Sequence, residues 1–229
     1  MKTGVFYGVS VGPGDPELLT LKAQRILREC DLIAAPQTRN GRHLALDIVS
    51  GILGAEKPVL PLPFPMDEDK TRQADADAAA ADAIALELEK GRTVAMVTLG
   101  DASIYSSCAR VAGLLAGRGY RTGIVPGVAS FCAAAAALGV SLTDGDKPVH
   151  ILPGGVEQDA ALSLPGTKVL LKSGRQLPKV LGTLARLGLL EKSMAVKNCG
   201  LPGEDRCPDL SRRAPGPDAG YFVTVIVKE

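Results

Sequence analysis

The sequence predicts an α/β protein in two lobes, with a mostly parallel sheet and helices in the N-terminal lobe and a mixed sheet in the C-terminal lobe. Three observations carry this. Up to about residue 144, short β-branched apolar runs alternate with helical patterns, the signature of a parallel sheet with crossover helices. Asp144-Gly145-Asp146-Lys147-Pro148 then interrupts the chain as a hinge, placing the lobes at residues 1–144 and 145–229. Beyond it, several strand-like segments share few helical ones, which favours a mixed sheet.

The elements follow in order. Val5 to Val11 reads as a strand, broken by Gly12-Pro13-Gly14-Asp15-Pro16. Glu17 to Cys30 spaces Leu18, Leu21, Ile26 and Leu27 for a helix; Asp15 is placed to accept from its first amides and Pro16 suits its start. Leu32 to Pro36 is a second strand and His43 to Leu53 a helix. Val59 to Met66 is a strand that degenerates into a proline-stiffened loop. Asp69 to Lys90 is a long helix whose Asp75, Asp77 and Asp82 read as a solvated face.

The chain is organised around Val94 to Tyr105. An apolar run ends at Leu99-Gly100-Asp101, and the ends of strands in open α/β sheets are where small molecules gather. Gly100 has no Cβ to keep a ligand from the backbone, while Asp101 reads equally as a turn residue capping a helix near Ser103. Tyr105 to Ala116 is a helix and Tyr120 to Val125 a strand. Pro126-Gly127-Val128-Ala129-Ser130 then leads into a helix whose Ala133 to Ala137 run permits close packing. The second lobe reads as strands at 149–152, 168–171, 194–197 and 221–227, a helix at 177–187, and a Pro/Gly/Arg-rich loop from Leu201 to Ala219.

Composition excludes several classes. The formal charge is +1 and aromatic residues make up 3%, so neither a global field nor stacking surfaces favour nucleic acid. The longest apolar stretch, Phe131 to Leu138, falls far short of a membrane span, and the N-terminus lacks the pattern of a secretory signal. Five scattered cysteines without a close pair point to a reducing cytoplasm and to neither disulfides nor a metal site. The first glycine-rich loop matches no phosphate-binding fingerprint, because Pro13 and Pro16 remove amide donors.

Gly12-Pro13-Gly14-Asp15-Pro16-Glu17-Leu18-Leu19-Thr20, Thr98-Leu99-Gly100-Asp101 and Pro126-Gly127-Val128-Ala129-Ser130 together resemble the tetrapyrrole methylases, which transfer methyl groups from S-adenosylmethionine. Weaker matches at Lys168 to Gly174 and Val196 to Cys199 extend the likeness over nearly the whole chain. Phe64-Pro65-Met66, Thr98 to Asp101 and Ile104-Tyr105-Ser106 are similar to those members that act on C20 of precorrin-2 or cobalt-factor II during corrin synthesis. Ala102 stands where the family often has Pro, and a Trp common after the Phe-Pro-Met stretch is missing.

The resemblance implies a tetrapyrrole methylase-like fold, usually a homodimer, with the donor bound between two α/β domains. It assigns the donor to Pro13, Leu99, Gly100, Asp101, Ile104, Ala129 and Ser130, with Lys172, Ser173 and Cys199 in the second lobe. It also places Gly14 and Asp15 in the tetrapyrrole trough. Arg39, Arg42 and His43 are candidates for the substrate's carboxylate arms, and Tyr105 for a polar contact. No catalytic base is identifiable, and no metal or covalent nucleophile is required of a reaction whose methyl is already activated. The alternatives are methylation at another corrin carbon and a tetrapyrrole-binding protein without activity.

Overall fold

A computed structural model describes residues 4–37, 41–53, 57–64, 69–154, 159–216 and 221–229. The chain forms two compact units, residues 1–129 and 130–229.

In the first unit, β1 (Val5–Ser10), β2 (Leu32–Gln37), β3 (Val59–Pro63), β4 (Thr93–Thr98) and β5 (Arg121–Val125) form one sheet in the order β3-β2-β4-β1-β5. Every pairing in it is parallel. Central β4 is apolar without alternation, with Val94 to Val97 fully buried, as a strand covered on both faces must be. β3 carries Pro61 and Pro63, which an edge position tolerates because one side of the strand has no ladder to complete.

The crossover helices are α1 (Leu21–Glu29), α2 (Leu44–Leu53), α3 (Lys70–Glu89) and α4 (Ser107–Gly117). α1 packs with α2, and α3 with α4. Phe6, Leu62, Ile84, Leu88, Met96 and Leu115 fill the core shared by the sheet, α3 and α4. The chain runs from β1 toward β2 on one side, whereas it runs from β4 across β1 to β5 on the other. The carboxyl ends of adjacent β1 and β4 therefore feed loops that diverge, the arrangement that opens a crevice in such sheets.

Several boundaries differ from expectation for local reasons. Pro16–Leu18 is a separate 3-10 turn, and α1 starts only after Thr20, whose hydroxyl accepts the Ala23 amide at 3.2 Å. α4 starts at Ser107 because Ser106 takes the N-cap, accepting from the Cys108 amide at 3.1 Å. Tyr105 lies before that cap at φ 45° and is not helical. Asp77 is not on a solvated face: it is buried and paired with Arg110 of α4, while Asp82 does face solvent beside Arg118.

The second unit holds α5 (Ser130–Leu138), α6 (Asp159–Leu162), α7 (Leu177–Arg186) and a mixed sheet. Its strands are β6 (Val149–Pro153), β7 (Thr167–Leu171), β8 (Ser193–Lys197), β9 (Asp205–Cys207) and β10 (Val223–Val227), in the order β6-β7-β10-β8-β9. β6 and β7 are parallel and the other pairings antiparallel. α5 packs on β8 and β10 through Ala134 and Ala135, against Val196 and Ile226, as its small-residue run allows. Leu138, Val140 and Leu142 continue that cluster, so the segment from 130 to 142, ahead of the boundary expected at 144, packs with the second unit. β9 lies inside the stretch expected to be loop. The expected strand end at Met66 and the loop end at Ala219 lie outside the described residues.

Candidate functional site

In the first unit the candidates gather at the carboxyl edge of the parallel sheet. Pro13, Gly14 and Asp15 follow β1, Arg42 and His43 follow β2, Leu99 to Tyr105 follow β4, and Ala129 follows β5. Parallel strands place all four connections on one edge. α2 also packs against the 3-10 turn after β1.

At the β1/β4 crevice the two loops are tied directly. Gly12 donates to the Gly100 carbonyl at 3.3 Å, and Gly100 donates back to the Gly12 carbonyl at 2.7 Å. Both sit at positive φ, 77° and 67°, where a side chain would be strained. The loop after β5 joins them through Asp101, whose Oδ2 accepts the Gly127 amide at 2.8 Å. Gly127 must be glycine for reasons of space: a Cβ there would lie 2.5 Å from the Ser10 Cβ and 2.9 Å from the Gly100 carbonyl oxygen.

The other Asp101 oxygen accepts from the Ser103 amide at 2.8 Å and from the Ser103 hydroxyl. Partial burial alone would push the Asp101 carboxyl up, but the hydrogen bonds from Ser103 and Gly127 outweigh it and hold the group below its usual range. Asp101 is therefore an anion at neutral pH whose oxygens brace two loops. Its turn role and its charge coexist, so the two sequence readings of this residue do not compete.

The 99–105 loop is fixed at three further points. The Ala102 amide donates to Ser10 Oγ at 2.8 Å, Ile104 donates to the Asp101 carbonyl at 3.2 Å, and the Thr98 and Ser106 hydroxyls meet at 3.2 Å where the loop begins and ends. Leu99, Asp101 and Ile104 are half-buried, and Tyr105 is 43% exposed. Pro13 and Gly14 are buried, while the Asp15 carboxylate caps its own turn by accepting the Glu17 amide at 2.9 Å. Arg42 is exposed and His43 half-buried. The buried His43 Nδ1 has no hydrogen-bond partner among the described residues. Arg39 lies outside them, as do Pro65 and Met66 of the Phe64-Pro65-Met66 stretch.

In the second unit, Ser130 begins α5. Lys172 follows β7 at φ 60°, its Nζ 5.7 Å from the centre of the Tyr221 ring. Ser173 is fully buried; its hydroxyl donates to the Leu170 carbonyl at 3.1 Å and its amide to the Val223 carbonyl at 3.1 Å. Cys199 follows Asn198, which lies at φ 50°. Burial, with the Glu204 carboxylate adding to it, pushes the Cys199 thiol up to about 11, so it is a neutral group and no nucleophile at physiological pH. Glu204 accepts the Gly200 amide at 2.6 Å and braces this turn.

Tyr105, Lys172 and Asn198 are the non-glycine residues at positive φ among the described residues. Two of the three are sequence candidates and the third adjoins one. Such backbone costs about 1–3 kcal/mol and collects at functional sites. Among the described residues, no group of three His, Cys, Asp or Glu side chains is placed to hold a metal, and no helix is long and apolar enough to cross a membrane.

Ser10, Gly127 and Glu204 escaped sequence reasoning as site residues. Ser10 looked like one more strand position, and Glu204 sat in an apparent loop. Gly127 carries the one usable signal, a glycine beside a proline at a strand end, but nothing local shows the close approach to Ser10.

Known proteins resemble this chain throughout its length. It is 34% identical to a Sinorhizobium protein named precorrin-2 C(20)-methyltransferase, over 98% of this chain and 95% of the relative. It is 33% identical to the Salmonella typhimurium cobalt-precorrin-2 C(20)-methyltransferase, over 99% and 97%. The uroporphyrin-III C-methyltransferase of Thermus thermophilus shares the fold at a TM-score of 0.72 and 26% identity, over 98% and 94%. A structure of that enzyme complexed with S-adenyl homocysteine superposes at 0.69 and 21% identity, over 98% and 97%. The model of the Tetrapyrrole (Corrin/Porphyrin) Methylases matches residues 5–210, and with that match and full-length relatives of this kind, the chain belongs to that family.

Proposed function

We propose that this protein is an S-adenosylmethionine-dependent methyltransferase acting on C20 of precorrin-2 or cobalt-factor II in cobalamin biosynthesis. The observation that carries the reading is the triple tie at the β1/β4 crevice, Gly12 to Gly100 and Asp101 to Gly127, which fixes backbone without side chains where a ligand is expected. The full-length relatives named as C20-methyltransferases give the ring position.

The crevice suits the donor. Leu99 and Ile104 offer apolar surface to an adenosyl group, and the Asp101 anion balances a sulfonium charge. Pro13 and Pro16 withhold the amides a phosphate would require, in keeping with a donor that has none. We assign donor contacts to Pro13, Leu99, Gly100, Asp101, Ile104, Ala129 and Ser130. On the family resemblance we assign them also to Lys172, Ser173 and Cys199.

Gly14, Asp15 and Tyr105 are assigned to the macrocycle, and Arg39, Arg42 and His43 to its carboxylates. Bound at this site, the donor would supply a methyl group that C20 takes by in-line displacement, the methyl–sulfur bond breaking to release S-adenosylhomocysteine and the C20 proton then leaving to water, to the ring system or to a protein base. The task of the protein residues is alignment and exclusion of water, for which braced loops serve better than flexible ones. We further propose a cytoplasmic homodimer that engages neither nucleic acid nor membrane.

The test is to incubate the purified protein with methyl-labelled S-adenosylmethionine and with precorrin-2 or cobalt-factor II, and to locate the label by NMR and mass spectrometry. A single label on C20 is expected. Label on another carbon refutes the position, and ring binding without transfer identifies a carrier instead.

A further inference from the structure

We propose that Ser10 is a positioning residue for the methyl donor, holding the 99–105 loop in its binding conformation through the Ala102 amide; this rests on the donor assignment above. Ser10 is the last residue of β1 and is fully inaccessible to solvent. Its Oγ accepts from the Ala102 amide at 2.8 Å, across 92 residues of sequence. Ala102 is itself buried, so without that oxygen its N–H would have lost water and gained nothing.

Two observations make this contact more than incidental packing. Ala102 occupies the middle of the loop, between Gly100 and Ile104, and follows Asp101, whose carboxylate fixes Gly127. The Ser10 Cβ is also the atom against which Gly127 is packed, 2.5 Å from where a Cβ on that glycine would stand. One short side chain thus sets both the height of the β4 loop and the approach of the β5 loop. Tyr105, at φ 45°, shows that the loop is held away from its intrinsic preference, which requires restraints of this kind.

The experiment compares Ser10→Ala, Ser10→Cys and the unaltered protein, with Leu184→Ala as a control that removes core volume from the second unit. Donor KM, tetrapyrrole KM, kcat, calorimetric affinity for S-adenosylhomocysteine and amide exchange at Ala102 in the free protein are measured. Ser10→Ala is expected to raise the donor KM and the S-adenosylhomocysteine Kd about tenfold, the order of one lost bond to a buried amide. Exchange at Ala102 should accelerate, while tetrapyrrole KM and kcat stay near their original values.

Ser10→Cys, similar in size but a poorer acceptor, should fall between, and it carries the test if the alanine variant does not fold. Unchanged donor affinity in both variants overturns the proposal, as does an equal loss in Leu184→Ala, which would reduce the effect to general destabilisation. If the unaltered protein binds no S-adenosylhomocysteine, the functional reading falls and this inference falls with it. If it binds and the variants bind equally, only this inference falls.

Discussion

At the scale of single residues, close approach decides which positions tolerate change. Gly127→Ala would force a methyl into the 2.5 Å gap at Ser10, where backbone and a short side chain leave little room to yield. Overpacking of this kind costs about 1–3 kcal/mol, so a lower urea midpoint with an unchanged m-value is expected, together with weaker donor binding. Gly117→Ala, where a Cβ meets nothing within 4 Å, should leave the midpoint almost where it was. Sequence alone does not show such contrasts. The reason is physical: a turn glycine and a close-approach glycine differ only in what lies across from them, and Ser10 is 117 positions away from Gly127 in a different strand. Gly100 was legible because the residue before the loop and the strand behind it are local in sequence.

Among the elements, the α3–α4 pair illustrates how a charged residue is misread from pattern. Asp77 belongs to an acidic, alanine-rich stretch whose default is a solvated face, yet it is buried and accepts from Arg110, with Nη2 at 3.2 Å from Oδ1. Helical periodicity locates the face that turns inward, but it cannot reveal that the opposing helix presents a guanidinium. Removing Arg110 leaves a carboxylate that is only 5% exposed without its partner. Since Arg110 itself is half-exposed and water can replace it in part, Arg110→Ala should destabilise by about 2 kcal/mol, below the 3–5 of a fully buried pair. Thermal unfolding would record it, and Arg118→Ala, which breaks the exposed pair with Asp82, should shift the midpoint little. Element existence in the first unit was read well because apolar runs and helix patterns alternate cleanly. β9 and α6 were missed because three and four residues are too few to carry a period.

For the whole molecule, the distribution of held carboxylates predicts how it responds to acid. The Gly200 amide lowers Glu204, Arg213 lowers Asp205 and Lys147 lowers Glu229, while Asp101 lies below its usual range despite its burial. Each folded value sits beneath the ordinary 3.8 of Asp or 4.5 of Glu. Their stabilisation is therefore complete above about pH 4.5 and fades as pH falls through the folded values. Stability measured by urea unfolding should be flat in these groups between pH 5 and 8 and decline below pH 4. Asp101→Asn should flatten part of that decline if it folds.

The mutual bond between Gly12 and Gly100, with Ser10 beneath Ala102 and Asp101 on Gly127, also bears on how relatives diverge. Three stretches far apart in the gene form one mechanical part, so a crossover that imports the 99–105 segment from a methylase of different regiochemistry delivers half a hinge. Chimaeras aimed at redirecting the modified carbon should work only when the ends of β1 and β5 travel with it.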